Sequence, residues 1–266
     1  MNRLFLVSVI AVATFFAYQQ ISFAVCVEGP TDTFTCNTNP PNPDPVGVQQ
    51  LGNNADLTVN VLPGAGINTL GMPDTDAIKT SNGSDNITIT GGDLRASDNG
   101  ISTGNGGDNI MVEDSLISGI CEAIRTGNDG DTITVINSTI ISSGCEAVNL
   151  GNDDDTLTLG TGANIVGLIR CGNNFDTLIF TMAVPDEDLA FLSLKISSLN
   201  PAGDSIAING LFYIWEDCEL LVNEIVGGGF RMIRPIPTLS EWGLIAMAGI
   251  LGIVGFMVLR RRKVTA

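Results

Sequence analysis

The strongest constraint on this chain is a motif that recurs through its middle at intervals of 21 to 29 residues. The apolar residues keep step with it. Isoleucine or valine lies seven residues before each of the last five motif aspartates, and isoleucine or leucine lies two residues after it. Self-similarity at a near-constant period is typical of repeat architectures. The copies are GNNAD, SNGSD, GNGGD, GNDGD, GNDDD and GNNFD, which end at Asp56, Asp85, Asp108, Asp131, Asp155 and Asp176.

Each repeat has the pattern of short strands. Alternation such as Ile87-Thr88-Ile89 indicates a strand with one buried face, and Gly, Asn and Asp turns separate about three such strands per repeat. A single coil cannot bury its apolar face, whereas stacked coils share one core. We therefore predict an all-β fold, a right-handed parallel β-helix of about six coils. The alternative is a β-sandwich, which does not explain why the same side chain returns in every repeat.

The asparagine three residues before each motif aspartate is predicted to be structural. Asparagine tolerates left-handed backbone angles and forms local hydrogen bonds to the main chain in turns. When coils stack, the amides form a hydrogen-bonded ladder. These residues are Asn53, Asn82, Asn105, Asn128, Asn152 and Asn173.

The motif aspartates are the candidate metal ligands. GNDGDTI resembles the glycine- and aspartate-rich nonapeptide of RTX-type β-rolls, and this resemblance implies Ca²⁺ held by turn carboxylates and carbonyls. The spacing departs from that family, since the motif does not return every nine residues. Calcium would then lie between successive turns, at Asp129, Asp131, Asp153, Asp154 and Asp155. Alternatively, these side chains accept turn N–H bonds and face water.

The chain has six cysteines, and in an exported chain these favour disulfides. Cys121 and Cys145 occupy the same position in consecutive coils, so their Cα atoms are expected about 4.8 Å apart, within disulfide range. No CxxC pair occurs, so a thiol-redox or zinc role has no support in the sequence. The predicted bonds are Cys121–Cys145, Cys26–Cys36 and Cys171–Cys218.

Composition excludes several classes of function. The formal net charge is −17, and five of the twelve cations lie in the two terminal signals described below. Nucleic acid is therefore not an expected partner, because phosphate binding needs clustered cations. Histidine is absent, which removes His-based triads and His-ligated zinc.

No catalytic constellation is identified, and an enzyme is not expected. Glu122 and Glu146 each follow a stacked cysteine, but a repeat creates such carboxylate pairs automatically. Arg125 and Arg170 share one register with Lys79, an arrangement that resembles the basic residues of polysaccharide-lyase β-helices. The resemblance keeps open a competing function in which the domain binds or degrades an extracellular polysaccharide.

The N-terminus has the pattern of a secretory signal peptide. Arg3 precedes an apolar run from Leu4 to Phe16, and Ser22 and Ala24 supply the small residues before a cleavage site after Ala24. The apolar run is too short to span a bilayer comfortably. The chain is therefore predicted to be exported.

The C-terminus carries a second signal. IPTLSEWG is followed by an apolar segment at 244–259 and then by four cations, which predicts one transmembrane helix with a cytoplasmic C-terminus. These features resemble the IPTL-CTERM sorting domain of Gram-negative bacteria. The resemblance implies an exosortase-type processing enzyme as partner and cleavage near Pro237-Thr238. The motif residues are Ile236, Pro237, Thr238, Leu239, Trp242 and Gly243, and the basic stop is Arg260, Arg261, Arg262 and Lys263.

The expected protein is anchored in the inner membrane and then sorted to the cell surface or extracellular matrix. Its predicted role is structural or adhesive. The predicted segments are the signal peptide 1–24, a Cys loop and Pro-rich linker 25–50, β-helix repeats 51–180, a C-terminal cap 181–226, a linker 227–235 and the sorting signal 236–266.

Overall fold

The computed structural model shows a parallel β-solenoid of about six turns, which confirms the predicted all-β parallel architecture. Each complete turn contributes one strand to each of three sheets. The structure describes residues 26–29, 31–50, 55–182, 204–208, 211–218, 220–225 and 229–232.

The strands are short, and turns or bends connect them. In chain order the first are β1 (Cys26–Glu28), β2 (Thr33–Cys36), β3 (Val48–Gln49), β4 (Thr58–Val61), β5 (Gly66–Asn68), β6 (Ile78–Lys79), β7 (Asn86–Thr90), β8 (Asp93–Ala96), β9 (Ile101–Ser102), β10 (Asn109–Glu113), β11 (Leu116–Gly119) and β12 (Ile124–Arg125). The next are β13 (Thr132–Ile136), β14 (Thr139–Ser142), β15 (Val148–Asn149), β16 (Thr156–Leu159), β17 (Asn164–Val166), β18 (Leu168–Arg170), β19 (Thr177–Phe180), β20 (Asp204–Ile208), β21 (Leu211–Glu216), β22 (Leu220–Ile225) and β23 (Gly229–Met232).

The three sheets run side by side along the column. Sheet A has the strand order β1-β2-β4-β7-β10-β13-β16-β19-β22-β23. Sheet B has the order β17-β14-β11-β8-β5, and sheet C has the order β20-β21-β18-β15-β12-β9-β6-β3. In the middle of each sheet, neighbouring strands are three elements apart in the chain, because the chain returns to the same sheet after one turn.

Equivalent residues of successive turns are direct partners. In sheet A, Ile87 pairs with Ile110, followed by Ile133, Leu157 and Leu178, and all five are fully buried. The repeating apolar positions therefore form continuous columns in the core, as stacking of identical turns requires. The corresponding column of sheet C is Ile78, Ile101, Ile124, Val148 and Ile169.

The first copy of the repeat lies one residue out of the predicted register. Thr58 pairs with Asn86, so Leu57 rather than Asp56 occupies the position equivalent to Asp85. The spacing there is 28 residues, not the predicted 29. Leu57 is buried, whereas Asp56 is exposed. In this first copy, an apolar side chain therefore takes the inward position that aspartate takes in the later copies.

Residues 37–45, predicted as part of an extended linker, lie against strand β5. The Asn42 amide donates to the carbonyl oxygen of Gly64 at 2.9 Å and accepts the N–H of Gly66 at 2.8 Å. The N–H of Asp44 donates to the carbonyl oxygen of Gly66 at 2.7 Å. The segment therefore adds an incomplete strand to the edge of sheet B. Its prolines have no N–H to donate, and the hydrogen bonds to β5 and the residues before it come from Asn42 and Asp44 instead.

At the C-terminal end, β21 continues sheet C beyond β18, and β22 continues sheet A beyond β19. The rings of Tyr213 and Trp215 lie 5.5 Å and 6.5 Å from that of Phe180 in edge-on contacts. The Tyr213 hydroxyl donates to the carbonyl oxygen of Ala163 at 2.6 Å. These aromatic rings fill the end of the apolar column, where the repeat stops. Strand β20 pairs antiparallel with β21, and residues 183–203 of the predicted cap lie outside the described residues.

Several predictions concern residues that the structure does not describe. They include Asn53, the signal peptide 1–24, the sorting motif, the transmembrane segment 244–259 and the basic stop. Residues 229–232, inside the predicted second linker, form strand β23. None of the described residues belongs to a helix long and apolar enough to span a membrane.

Glycine is required where the backbones of two turns approach most closely. A Cβ atom added to Gly127 would lie 1.7 Å from the carbonyl oxygen of Gly104, one turn away. At Gly71 the same addition would meet nothing within 4 Å. The two glycines therefore form a matched pair for testing the spacing of the turns.

We expect Gly127→Ala to lower the free energy of unfolding by about 1–3 kcal/mol, because the methyl group must push two turns apart. Gly71→Ala is the control and should stay within about 0.5 kcal/mol of the parent protein. Denaturant titration followed by circular dichroism measures both. Equal stability of the two variants would contradict this spacing of the turns.

Candidate functional site

The turn between sheets C and A carries the repeat motif and contains the predicted amide ladder. The side-chain amide of Asn128 donates to that of Asn105 at 2.5 Å. Asn152 donates to Asn128 at 2.7 Å, and Asn173 donates to Asn152 at 2.6 Å. The asparagines thus join successive turns at the surface, which is the structural role that the sequence predicted.

The left-handed backbone falls one position later than these asparagines. Asp129, Asp153 and Asn174 have φ values of 75°, 81° and 82°, and Gly83 and Gly106 occupy the same position in earlier turns with positive φ. Asparagine, aspartate and glycine adopt this conformation at the lowest cost. The motif therefore supplies one residue for the ladder and a second for the bend.

The last five motif aspartates line the inside of this turn, whereas Asp56 is exposed. Each of the five is at most 2% exposed. Its Oδ1 atom accepts the main-chain N–H of the equivalent residue in the preceding turn at 2.7–2.9 Å. They accept N–H bonds, as one alternative predicted, but they face the core rather than water. We call this set the aspartate column: Asp85, Asp108, Asp131, Asp155 and Asp176.

The second carboxyl oxygen is unsatisfied in four members of the aspartate column. The Oδ2 atoms of Asp85, Asp108, Asp131 and Asp155 are buried without a hydrogen-bond partner. Burial raises the pKa of Asp108 to about 7, of Asp131 to about 6 and of Asp155 to about 8, because an apolar surrounding disfavours the charged form. Neighbouring aspartates of the column raise the pKa of Asp108 and Asp155 further.

A threonine five residues earlier lies beside three of these carboxyls and partly offsets the rise in pKa. Asp155 has Leu150 at that position. Its pKa of about 8 is accordingly higher than that of Asp108 or Asp131. The threonines are Thr80 beside Asp85, Thr103 beside Asp108 and Thr126 beside Asp131.

The five predicted calcium ligands are divided between two columns. Asp131 and Asp155 belong to the buried aspartate column. Asp129, Asp153 and Asp154 lie on the outer side of the turn, where each accepts an N–H bond from a neighbouring turn. Within the described part of the chain, no three of these carboxylates have oxygens within 4.8 Å of one another. Calcium binding here stays a prediction.

Sheet C carries the cations predicted to share a register, and the structure places them in one outward column. Lys79 is followed by Ser102, Arg125, Asn149 and Arg170. A polar uncharged side chain therefore separates each cation from the next. At the strand spacing of about 4.8 Å, neighbouring cations of this column lie about 10 Å apart.

Carboxylates at the adjacent corner and on strand β21 neutralise two of these cations. Lys79 pairs with Asp76 at 3.2 Å, and Arg170 pairs with Glu146 at 2.8 Å and with Glu216 at 2.6 Å. Arg125 is exposed, and no ion pair to it is seen among the described side chains.

The two glutamates singled out in the sequence lie at this corner. Glu122 is only 7% exposed, and Glu146 is bound to Arg170. Neither presents a free carboxylate beside an open groove. Chemically, this face of the solenoid offers alternating charges and hydrogen-bonding groups.

A groove of about 250 Å³ lies on sheet B at the first turns. Asn42 and Pro43 form one wall, and glycines at 64, 66, 91 and 92 form the floor. Arg95 and Asp93 line the rim and are joined by two hydrogen bonds of 2.9 Å and 3.0 Å. The groove is small, and its charged groups satisfy each other.

The structure contains the three predicted disulfides, and no described cysteine is free. The Cα atoms of Cys121 and Cys145 are 4.6 Å apart, close to the separation of adjacent strands. This bond joins two consecutive turns, whereas Cys171–Cys218 joins the last turn to β21 and β22. Stacking therefore brings together cysteines that are 24 residues apart in sequence.

Comparison with known proteins identifies the C-terminal signal. Residues 234–262 match the IPTL-CTERM motif. The chain carries an IPTL-CTERM sorting signal. The signal implies a secreted, C-terminally sorted protein that an exosortase-type enzyme processes. No curated protein and no solved structure matches the chain.

The aspartate column is the feature that sequence reasoning missed. A signal for it was present, because Thr-x-x-x-x-Asp recurs at Thr80, Thr103 and Thr126 in consecutive repeats. Each of these aspartates directly precedes a strand of sheet A, and its side chain points inward, as do those of the residues two and four positions later. The period-two rule therefore assigns the carboxyl to the buried face.

We expect the stability of the folded chain to fall as the pH rises from about 5 to about 8.5. A carboxyl whose pKa is raised by folding stabilises the protein below its unfolded pKa, and that contribution is lost as the pH rises through the folded pKa. A rise of one in the pKa of a carboxyl changes the free energy of unfolding by about 1.4 kcal/mol at most. Thermal unfolding across this pH range measures the slope.

The triple variant Asp108→Asn, Asp131→Asn and Asp155→Asn should flatten this slope and be the more stable protein at pH 8.5. Asparagine keeps the Oδ1 acceptor but does not ionise. Asp154→Asn removes an exposed carboxyl from the same turn and serves as the control, with the parent slope retained. A parent protein whose stability is constant or increases over this range would refute the assignment.

Proposed function

We propose that this chain is the precursor of a surface or extracellular-matrix protein, in which the sorting signal delivers a rigid structural or adhesive solenoid. The observation that carries the proposal is the IPTL-CTERM match at residues 234–262 at the end of a β-solenoid chain. Export is further supported by the N-terminal signal-peptide pattern and by three disulfides, which persist in oxidising compartments.

In this proposal the tail first retains the exported chain at the membrane and is then removed by cleavage. The apolar segment 244–259 holds the exported chain in the inner membrane, and the four following cations keep its end in the cytoplasm. An exosortase-type enzyme then cleaves near Pro237-Thr238 and releases the body for transfer to the cell surface. The tail is thus a delivery signal and contributes nothing to the mature domain.

Features of the body support a structural or adhesive role. Hydrogen bonds run from turn to turn through the main chain, the amide ladder and the aspartate column, which gives an elongated and rigid unit. The net charge of −17 keeps separate copies soluble during export. Repetition also presents the same polar groups at regular intervals along the surface, as a multivalent adhesive requires.

The alternative function is binding or degradation of an extracellular polysaccharide. It is favoured by the cation column of sheet C, where Lys79, Arg125 and Arg170 alternate with Ser102 and Asn149. Turnover of an acidic polysaccharide that is lost in Glu146→Gln would establish an enzyme. Binding without turnover, weakened in Arg125→Gln, would establish a binding module.

Calcium binding remains a separate hypothesis within this proposal. Carboxylates are dense along the outer turn, where exposed Asp129 and Asp154 and half-buried Asp153 lie on consecutive turns, and Ca²⁺ favours such oxygen ligands. Each of these residues already accepts a hydrogen bond from a neighbouring turn. Calorimetric titration with Ca²⁺ that shows no heat of binding, with no effect of chelator on the melting temperature, would dismiss it.

The processing step is tested in a host that has an exosortase-type enzyme. We expect Pro237→Ala combined with Thr238→Ala to leave a longer precursor in the inner-membrane fraction, because the enzyme reads this motif. Thr265→Ala lies beyond the matched residues and is the control, with normal maturation expected. Immunoblotting of fractionated cells measures chain length and location. Full maturation of the motif variant would contradict the proposed sorting route.

A further inference from the structure

The corner beside sheet C brings together two cysteines and a carboxylate. The Sγ atoms of Cys121 and Cys145 and a carboxylate oxygen of Glu122 all lie within 4.8 Å of one another. Among the described residues, this is the one group of three potential ligands from His, Cys, Asp or Glu that lie so close. Two thiolates with a carboxylate are ligands that Zn²⁺ and other thiophilic divalent cations accept.

The disulfide at this corner is the most accessible of the three. Cys145 is exposed and Cys121 is half-buried. By contrast, Cys26, Cys36 and Cys171 are at most 8% exposed, and Cys218, the partner of Cys171, is half-buried. Thiol–disulfide exchange requires access of the attacking thiolate to a sulfur atom. Because Cys145 is the one exposed cysteine among those described, we expect a small dithiol to reduce Cys121–Cys145 before the other two bonds.

Reduction leaves the two sulfurs side by side, because other bonds hold the two turns together. Strands β11 and β14 pair before the corner, and β12 and β15 pair after it. The N–H of Cys145 donates to the Ser142 hydroxyl at 3.1 Å, and the N–H of Cys121 donates to the carbonyl oxygen of Asp98 at 3.1 Å. The main chain of both cysteines is thus positioned independently of the sulfur–sulfur bond.

We propose that the reduced form of this corner binds one thiophilic divalent cation, such as Zn²⁺, through Cys121, Cys145 and Glu122. A dithiol supplies two electrons and two protons, the sulfur–sulfur bond breaks, two thiols form, and the dithiol becomes a disulfide. The cation then displaces the two thiol protons as the sulfur–metal bonds form. Three protein ligands leave the fourth tetrahedral position to water.

The site is redox-gated, because the oxidised corner has no thiolate to offer. In an oxidising exterior it stays closed, and a reducing environment opens it. The absence of a CxxC pair does not argue against such a site here. Stacking of consecutive turns replaces the short sequence spacing that normally brings two cysteine ligands together.

Cadmium titration of the full-length chain tests the proposal. The chain is reduced with a dithiol, freed of reductant by anaerobic gel filtration and titrated with Cd²⁺, which gives a sulfur-to-metal absorption band when thiolates bind it. We expect one Cd²⁺ per chain, competition by Zn²⁺, and no band in the oxidised chain. Absence of the band in the reduced parent protein would overturn the proposal.

Three variants assign the ligands. The double variant Cys121→Ser and Cys145→Ser should lose the band, and the double variant Cys26→Ser and Cys36→Ser should keep it, with circular dichroism confirming that both remain folded. Glu122→Gln should keep the band and weaken metal affinity by about 10-fold or more, because losing even a group that only orients a ligand costs about that much at metal sites. A band that survives in the first variant, or an unchanged affinity in Glu122→Gln, would rule out the three-ligand site.

Discussion

The hydrogen bonds between successive turns determine most other features of the molecule. A turn of 21–24 residues cannot bury its own apolar face, so it acquires a core only by lying on an equivalent turn. The parallel ladders fix the register, and every side chain then lies above a counterpart from the neighbouring turn. Columns of isoleucine, asparagine and aspartate, as well as the paired cysteines, are consequences of that arrangement.

The aspartate column is energetically unfavourable to bury, but it helps to fix the register of the turns. Burying several carboxyls in one apolar interior is unfavourable, and the raised pKa values of Asp108, Asp131 and Asp155 report that cost. Each carboxyl nevertheless accepts the main-chain N–H of the equivalent residue in the preceding turn. A slip of one residue would move these side chains to the opposite face. We infer that the column fixes the position at which each turn begins.

The same stacking connects the fold to its surfaces. Sheet C places Lys79, Arg125 and Arg170 in one line because they occupy one register position. The corner beside it joins Cys121 to Cys145 for the same reason. In the proposed function, the sorting tail only delivers this body, and the repeated faces carry out whatever contact the protein makes at its destination.

Much of the fold could be predicted from the sequence, because stacking repeats its signals in every turn. The period of the repeat predicted the apolar columns that contain Ile87 and Ile78, and the shared register of the two cysteines predicted the Cys121–Cys145 bond. Prediction failed where the repeat is irregular or the effect is three-dimensional. Leu57 replaces aspartate at the end of the column, and Asn42 and Asp44 join an edge strand through their own hydrogen bonds. The burial of Asp108 was overlooked although its position two residues before buried Ile110 indicates it, but the unsatisfied second oxygen follows only from the packing of neighbouring turns.

Peptide mapping of the non-reduced chain by mass spectrometry tests the stacking register most directly. Cys121 can reach Cys145 only if consecutive turns lie one above the other with these two positions aligned. The account predicts Cys121 linked to Cys145, with Cys26 linked to Cys36 and Cys171 to Cys218. A peptide in which Cys121 is joined to any other cysteine would contradict the solenoid register.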